Sequence, residues 1–219
     1  MDNIDNLFEK EPVIDEKVLY DDVIKWFDEK IKLNPKDYEA WYYKGCILSR
    51  ALSLDSAIEC YNEAIKIKPE NFQIWIKKGE ALFDMYVSIE NKNECFDEII
   101  ECFDEAIKLN PNNYEAWYLK GQAFESKGVY EEKIECFHDA IKCFDKAITL
   151  NPNDYASYFC RAYSKCELQD YAGAIEDCCK SIEINPNNLH VYEKCIEAYK
   201  LSGDYENARK MERQLPPPL

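Results

Sequence analysis

Eleven cysteines and two histidines are the side chains of this sequence best suited to redox, metal or nucleophilic chemistry. The cysteines include no C-x-x-C pair, the spacing that zinc sites and thiol oxidoreductases commonly use. Cys95 and Cys102 are seven residues apart, which on a helix separates their Cα atoms by roughly 10 Å, beyond disulfide reach. Cys136 and Cys143 have the same spacing. We therefore interpret the cysteines as free thiols that act as small apolar residues in a reducing compartment.

The two histidines, His138 and His190, lie far apart, and neither belongs to a recognisable ligand spacing. No Ser-His-Asp or Cys-His arrangement has local support in the sequence. The abundant Asp and Glu residues are typical of solvated helix faces rather than of acid-base pairs. The sequence therefore predicts no enzyme, no metal site and no cofactor.

The charge balance of the chain restricts its partners. The formal net charge is -16, from 43 acidic and 27 basic residues. Binding to nucleic acid or to an anionic membrane needs clustered Lys and Arg, so this balance opposes both. No apolar stretch is long enough to span a bilayer, and residues 1–6 lack the basic and apolar regions of a secretory signal. We expect a cytoplasmic protein with no nucleic-acid or membrane partner.

A short motif recurs along the chain and is clearest at residues 110–121. It joins an Asn-Pro turn to an aromatic residue and a small residue, within apolar residues at three-and-four spacing. The proline ends one helix, and a polar residue such as Asp37 or Asn113 caps the next. The motif therefore predicts a series of paired helices. Its other copies are at residues 34–41, 68–75, 151–158 and 185–192.

These copies resemble the tetratricopeptide repeat family, whose unit is a helix-turn-helix of about 34 residues. The first full copy carries the family's aromatic, glycine, alanine and proline positions, at Trp41, Gly45, Ala57, Tyr61, Ala64 and Pro69. Later copies repeat the aromatic and small pair, as Trp75 with Gly79, Trp117 with Gly121, and Tyr158 with Ala162, while Ile196 replaces the small residue after Tyr192. The resemblance implies an all-α fold, a right-handed α-α superhelix of antiparallel helix pairs.

The motif copies divide the chain into five repeats within one solenoid domain. We expect an acidic N-terminal segment at 1–14, a half-repeat helix at 15–37, repeats at 38–71, 72–113, 114–154, 155–188 and 189–215, and a Pro-rich tail at 216–219. The second and third repeats are lengthened, because each contains what looks like a duplicated heptad. In the third, we expect Gly128 to form the turn and the second helix, 130–149, to hold the whole extension. In the second, we expect the turn at residues 91–93.

The resemblance implies a concave groove lined by the first helix of each repeat, where the family commonly receives peptides or partner helices. The predicted groove residues are Tyr42, Cys46, Ile76, Glu80, Phe83, Tyr118, Gln122, Phe159, Tyr163, Glu193 and Glu197, with Arg50, Asp84, Glu125 and Glu167 further along the helices. Tyr42, Ile76, Tyr118 and Phe159 would form an apolar stripe flanked by acids. Its ligand should be apolar with basic flanks. The alternative is that these side chains merely cover neighbouring helices.

Three functions are compatible with these observations. The first is a non-catalytic protein-protein interaction scaffold that holds a peptide or helix in its groove. The second is a structural module that associates with a second copy of itself as a homo-oligomer. The third is a thiol-based sensor, since Cys60, Cys102 and Cys136 occupy matching places in three repeats. That function would need exposed thiols with a lowered pKa, which the surrounding acids oppose.

Overall fold

A computed structural model describes residues 16–88 and 96–216 of the chain, and these residues form eleven α-helices and no strand. The helices are α1 (Glu16–Leu33), α2 (Tyr38–Arg50), α3 (Leu54–Ile67), α4 (Phe72–Ser88), α5 (Phe96–Leu109), α6 (Tyr114–Glu131), α7 (Ile134–Leu150), α8 (Tyr155–Glu167), α9 (Tyr171–Ile184), α10 (Leu189–Leu201) and α11 (Tyr205–Glu212). The prediction of an all-α fold of paired helices is confirmed. The acidic segment 1–14 and residues 217–219 of the tail lie outside the described residues.

The chain divides into two compact units, Met1–Pro69 and Glu70–Leu219. In the first, α2 packs against α1 and α3. In the second, every helix from α4 to α11 packs against the next, and α4, α6, α8 and α10 also contact one another in that order. The first helices of successive pairs therefore lie side by side in the second unit. The repeat boundaries and the single-domain organisation stay predictions.

Side-chain caps start the first helices where the motif predicts them. The Asp37 carboxylate accepts a hydrogen bond from the Ala40 N–H (3.1 Å), and the Asn113 side chain accepts one from the Ala116 N–H (2.7 Å). Such a cap satisfies a backbone donor that has no partner inside the helix, and it typically contributes about 1 kcal/mol. The predicted caps are confirmed. The Trp117 indole also donates to the Pro111 carbonyl (3.0 Å), which holds the turn against the helix.

A glycine and an aromatic ring hold each of three helix pairs together. A Cβ atom placed on Gly45 would lie 2.6 Å from the ring of Tyr61. The same distance separates a Cβ on Gly121 from the ring of Phe144. Carbon atoms do not approach so closely, so these positions need glycine. The small residues of the repeated motif therefore mark the places where paired helices approach closely. The third such pair is Gly79 with Phe103.

The lengthened third repeat differs from the prediction. Gly128 lies buried within α6 against the Phe137 ring, and the turn comes later, where Glu132 adopts a left-handed conformation (φ 53°). As a result, α6 has 18 residues against 13 in α8, and α7 has 17 against 14 in α9. The prediction that α7 alone would hold the extension was therefore wrong. The turn predicted at 91–93 lies outside the described residues.

Candidate partner-binding face

The residues that join α6, α8 and α10 form a continuous surface of the second unit, which we call the inner face. Tyr118, Gln122 and Glu125 supply it from α6, Tyr163 from α8 and Lys194 from α10. The residues on α6 are three or four positions apart, so one side of the helix presents them all. The inner face contains the central part of the predicted groove.

Tyr118 and Phe159 are half-buried rather than openly exposed. The Tyr118 ring centroid lies 6.1 Å from that of Phe144, and its hydroxyl oxygen lies 4.0 Å from the Cys160 sulfur. Phe159 packs beside them against the same buried cluster. Burial raises the pKa of the Tyr118 hydroxyl, which stays neutral. Both side chains cover neighbouring helices and keep part of their surface accessible. Their environment is therefore compatible with both interpretations, contact with a ligand and cover for a neighbouring helix.

Ile76 does not fit the predicted stripe. Its side chain is only 3% exposed and packs against Ala106 and Ala116. The small alanines leave room for it, and full burial of an isoleucine side chain stabilises a fold by about 1.5–3 kcal/mol. The prediction that Ile76 lines an open stripe is corrected for this reason. Of the other α4 residues, Phe83 is half-buried and Glu80 pairs with Lys77 (2.6 Å).

Tyr42 and Cys46 belong to the first unit. Both are half-buried on α2, where the Tyr42 ring centroid lies 6.3 Å from that of Tyr61 and Cys46 also contacts Tyr61. They cover α3 within that unit. Their part in a shared binding surface stays a prediction.

Glu125 is the most unusual ionisable group on the inner face. Its Oε2 atom accepts a hydrogen bond from the Ser164 hydroxyl (3.0 Å), and Ser164 is completely buried in α8. Burial raises the pKa of Glu125 to about 8, and the negative charge of Glu167 adds to this effect. The hydrogen bond from Ser164 and the positive charge of Lys194 both lower this pKa, because each favours the charged form. Burial on this surface therefore favours the neutral form of a carboxyl group.

Lys194 is the cation of the inner face, and its charge is already engaged. Its Nζ atom lies 2.7 Å from Glu197 and 4.5 Å from the centroid of the Tyr163 ring. Contacts of both kinds favour a charged ammonium group. The exposed Glu193 pairs with His190 (3.2 Å) and Glu167 is also exposed, so the rim of the face is acidic. Gln122 contacts Cys160 beneath this rim.

The sequence contains a signal for ion pairs that the analysis of single motifs missed. Lys120 pairs with Asp104, and Arg161 pairs with Asp145 (2.5 Å), in each case with a residue 16 positions earlier. Lys44 and Asp28 have the same spacing and lie 2.6 Å apart. In these three places the interval joins a helix to the first helix of the next pair.

Among the described residues, no group of three His, Cys, Asp or Glu side chains is arranged to hold a metal ion. All ten described cysteines are free, and eight of them are buried. No described helix is long and apolar enough to cross a membrane.

Models of known families match three segments of the chain as tetratricopeptide repeats. Residues 53–85 match one model, described as a TPR repeat, and residues 102–135 and 143–176 match another, described as a tetratricopeptide repeat. Residues 20–51 match the protein prenyltransferase alpha subunit repeat. No curated protein sequence matches the chain.

Solved structures share the fold over most of the chain. MamA from Desulfovibrio magneticus RS-1 is 16% identical, with a TM-score of 0.69, and the match covers 81% of this chain and 92% of that one. YrrB, described as a TPR protein with an unusual peptide-binding site, is 19% identical, with a TM-score of 0.66 and coverage of 86% and 90%. A thermophilic TPR protein of Thermus thermophilus is 16% identical, with a TM-score of 0.61, and the match covers 84% of this chain and 93% of that one. Three segments of the chain are therefore tetratricopeptide repeats, and the chain has the solenoid fold of tetratricopeptide repeat proteins such as YrrB.

Proposed function

We propose that the chain is a non-catalytic protein-interaction scaffold that binds an extended peptide or a partner helix on the inner face. The observation that carries this proposal is the composition of that face. Half-buried aromatic and amide side chains, including Tyr118, Gln122 and Tyr163, alternate there with acidic groups. Aromatic rings with polar tips contribute large contact area to protein interfaces with little loss of side-chain entropy.

The charge of the face indicates the partner. Glu167, Glu193 and Glu197 are exposed along its rim, and the whole chain carries a formal charge of -16. A partner with apolar residues and basic flanks would be attracted to this surface, and an acidic partner would be repelled. The described peptide-binding site of YrrB, which has the same fold, gives a precedent for peptide binding by such a solenoid.

A selection experiment with synthetic random peptides tests the proposal. The immobilised chain is incubated with the peptide mixture, and the retained peptides are identified by mass spectrometry. We expect enrichment of apolar residues together with Lys and Arg. The variant Tyr163→Ala should retain markedly less peptide than the wild type. Tyr205→Ala, which removes a 62% exposed tyrosine on α11, is the matched control.

Two results would contradict the proposal. One is a retained set with the composition of the starting mixture. The other is equal retention by Tyr163→Ala and the wild type, provided that circular dichroism shows both to be folded. The first result would remove peptide binding, and the second would remove the inner face as its place.

Self-association is the second candidate function. Helix α11 exposes Arg209, and Arg213 is exposed directly after the helix, in an otherwise acidic chain. A second copy could therefore offer a basic surface to an acidic one. Light scattering over a range of protein concentrations and salt concentrations tests this. A monomer at the highest concentration and lowest salt would rule it out.

A further inference from the structure

Glu125 lacks a counter-charge in the part of the chain that the structure describes. Its one hydrogen bond there comes from Ser164, and no Lys, Arg or His nitrogen lies within 4 Å of its carboxylate. The carboxyl group is nevertheless closely surrounded by protein atoms, and desolvation is the largest influence on its pKa. A carboxylate taken out of water without a cation is strongly unfavourable.

The buried acid of the α8–α9 pair, Asp177, is treated differently. Asp177 is 3% exposed and accepts two hydrogen bonds from Arg161, at 2.9 and 2.5 Å. Lys165 adds a second cation at 2.8 Å. The fold therefore supplies cations to a buried carboxylate where that carboxylate joins two helices of one repeat. At Glu125, on the inner face, it supplies only a hydroxyl.

The charged groups that act on Glu125 do not neutralise it. Among the described residues, Glu167 of α8 and Lys194 of α10 are the charged groups that influence it electrostatically. Glu167 is exposed and attracts a cation. Lys194 repels one, but its ammonium is already paired with Glu197 and lies over the Tyr163 ring. Burial therefore outweighs the effect of Lys194, and the pKa of the carboxyl group is raised to about 8.

We propose that Glu125, supported by Ser164, is the binding site for a lysine or arginine side chain of the partner that binds on the inner face. We call this site the seat. This inference rests on the proposed function. The partner's cation supplies the missing counter-charge, so that the carboxylate form is stabilised and a proton is released on binding. An uncharged side chain of similar shape gains no such interaction, which makes the seat a determinant of specificity.

Two synthetic peptide mixtures test the seat. They are random at all positions except the central one, which is lysine in the first and the uncharged norleucine in the second. At pH 9 the immobilised wild-type chain should retain the lysine mixture about tenfold better, since one charge-assisted hydrogen bond is typically worth this ratio. Glu125→Gln should remove the preference. Glu115→Gln, which changes an exposed acid on the same helix, should keep it.

The pH dependence separates a seat from a merely structural role. A carboxyl group with a pKa of about 8 is roughly 10% ionised at pH 7 and 90% ionised at pH 9, whereas lysine stays charged at both. The preference for the lysine mixture should therefore rise by up to roughly ninefold between these pH values in the wild type. It should not rise in Glu125→Gln.

Each result of this selection has a distinct meaning. Equal retention of both mixtures by the wild type would leave the proposed function standing and overturn the seat. A lysine preference that survives in Glu125→Gln would also overturn it. Retention of neither mixture would overturn the proposed function and the seat together.

Discussion

The α8–α9 interface and the α6–α8 contact each enclose a carboxyl group, but they neutralise it in different ways. Asp177 lies between two helices of one repeat and meets both Arg161 and Lys165. Glu125 lies between the first helices of two successive repeats and meets the hydroxyl of Ser164. The first arrangement is complete within the chain, whereas the second needs a proton or an external cation. The acid buried within a repeat thus has its counter-charges inside the chain, while the acid on the inner face has none among the described residues.

Removal of the Asp177 carboxylate should cause the largest loss of stability. Asp177→Asn leaves Arg161 and Lys165 without their buried counter-charge, and loss of one partner of such a group typically costs about 3–5 kcal/mol. Urea denaturation followed by circular dichroism measures the free energy of unfolding. Asp145→Asn, which removes the half-exposed partner of Arg161, should cost less than about 1 kcal/mol. Equal losses in the two variants would mean that the burial of Asp177 is not what matters.

The carboxyl group of Glu125 should make the free energy of unfolding fall as the pH rises. Because its pKa is raised from 4.5 to about 8 in the folded chain, the folded state binds more protons than the unfolded state between these values. The free energy of unfolding should fall as the pH rises from about 4.5 to 8, by roughly 3 kcal/mol at pH 7. Glu125→Gln keeps an acceptor for Ser164 but does not titrate, so its stability should lack this decline. The same decline in both proteins would assign it to other groups.

The sequence predicts the local features of this fold better than the distant contacts. The caps at Asp37 and Asn113 follow from residues three positions apart. The burial of Ile76 depends on alanines 30 and 40 positions away in sequence, so a position counted along one helix could not reveal it. The environment of Glu125 likewise depends on Ser164, 39 residues later.

The wrong turn in the third repeat has a similar cause. Glycine is a residue type common in turns, but the ring of Phe137 packs against Gly128 and α6 continues past it. Glu132, whose type gives no indication of a left-handed conformation, ends the helix instead. Glycine at this position therefore serves helix packing, and only the tertiary structure distinguishes this use from a turn.

The α6–α7 and α8–α9 pairs also differ in the residues through which their helices pack, and the expected effect on stability is smaller. In the α6–α7 pair, glycine at 121 receives the ring of Phe144, whereas α8 and α9 pack through Ala162 and Cys178. Gly121→Ala should destabilise the chain by about 1–3 kcal/mol, because the new methyl group overlaps the ring. Thermal unfolding measures this, and Phe144→Leu in the same chain should recover part of the loss. Ala162→Gly in the other pair is the control for glycine in a helix, about 1 kcal/mol. A neutral Gly121→Ala variant would mean that the ring moves freely.

The smallest expected effect concerns the buried thiols of α8, α9 and α10. Contact with Cys178 together with burial raises the pKa of Cys195 to about 12, and burial raises that of Cys166 to about 11. Both thiols are therefore protonated at neutral pH and unreactive. Among the described cysteines, a thiol reagent added to the native chain should label the half-buried Cys46 first, and Cys166 and Cys195 only on unfolding. Rapid native labelling of Cys195 would instead mean that its thiol is reactive and that its burial beside Cys178 and Cys179 is transient.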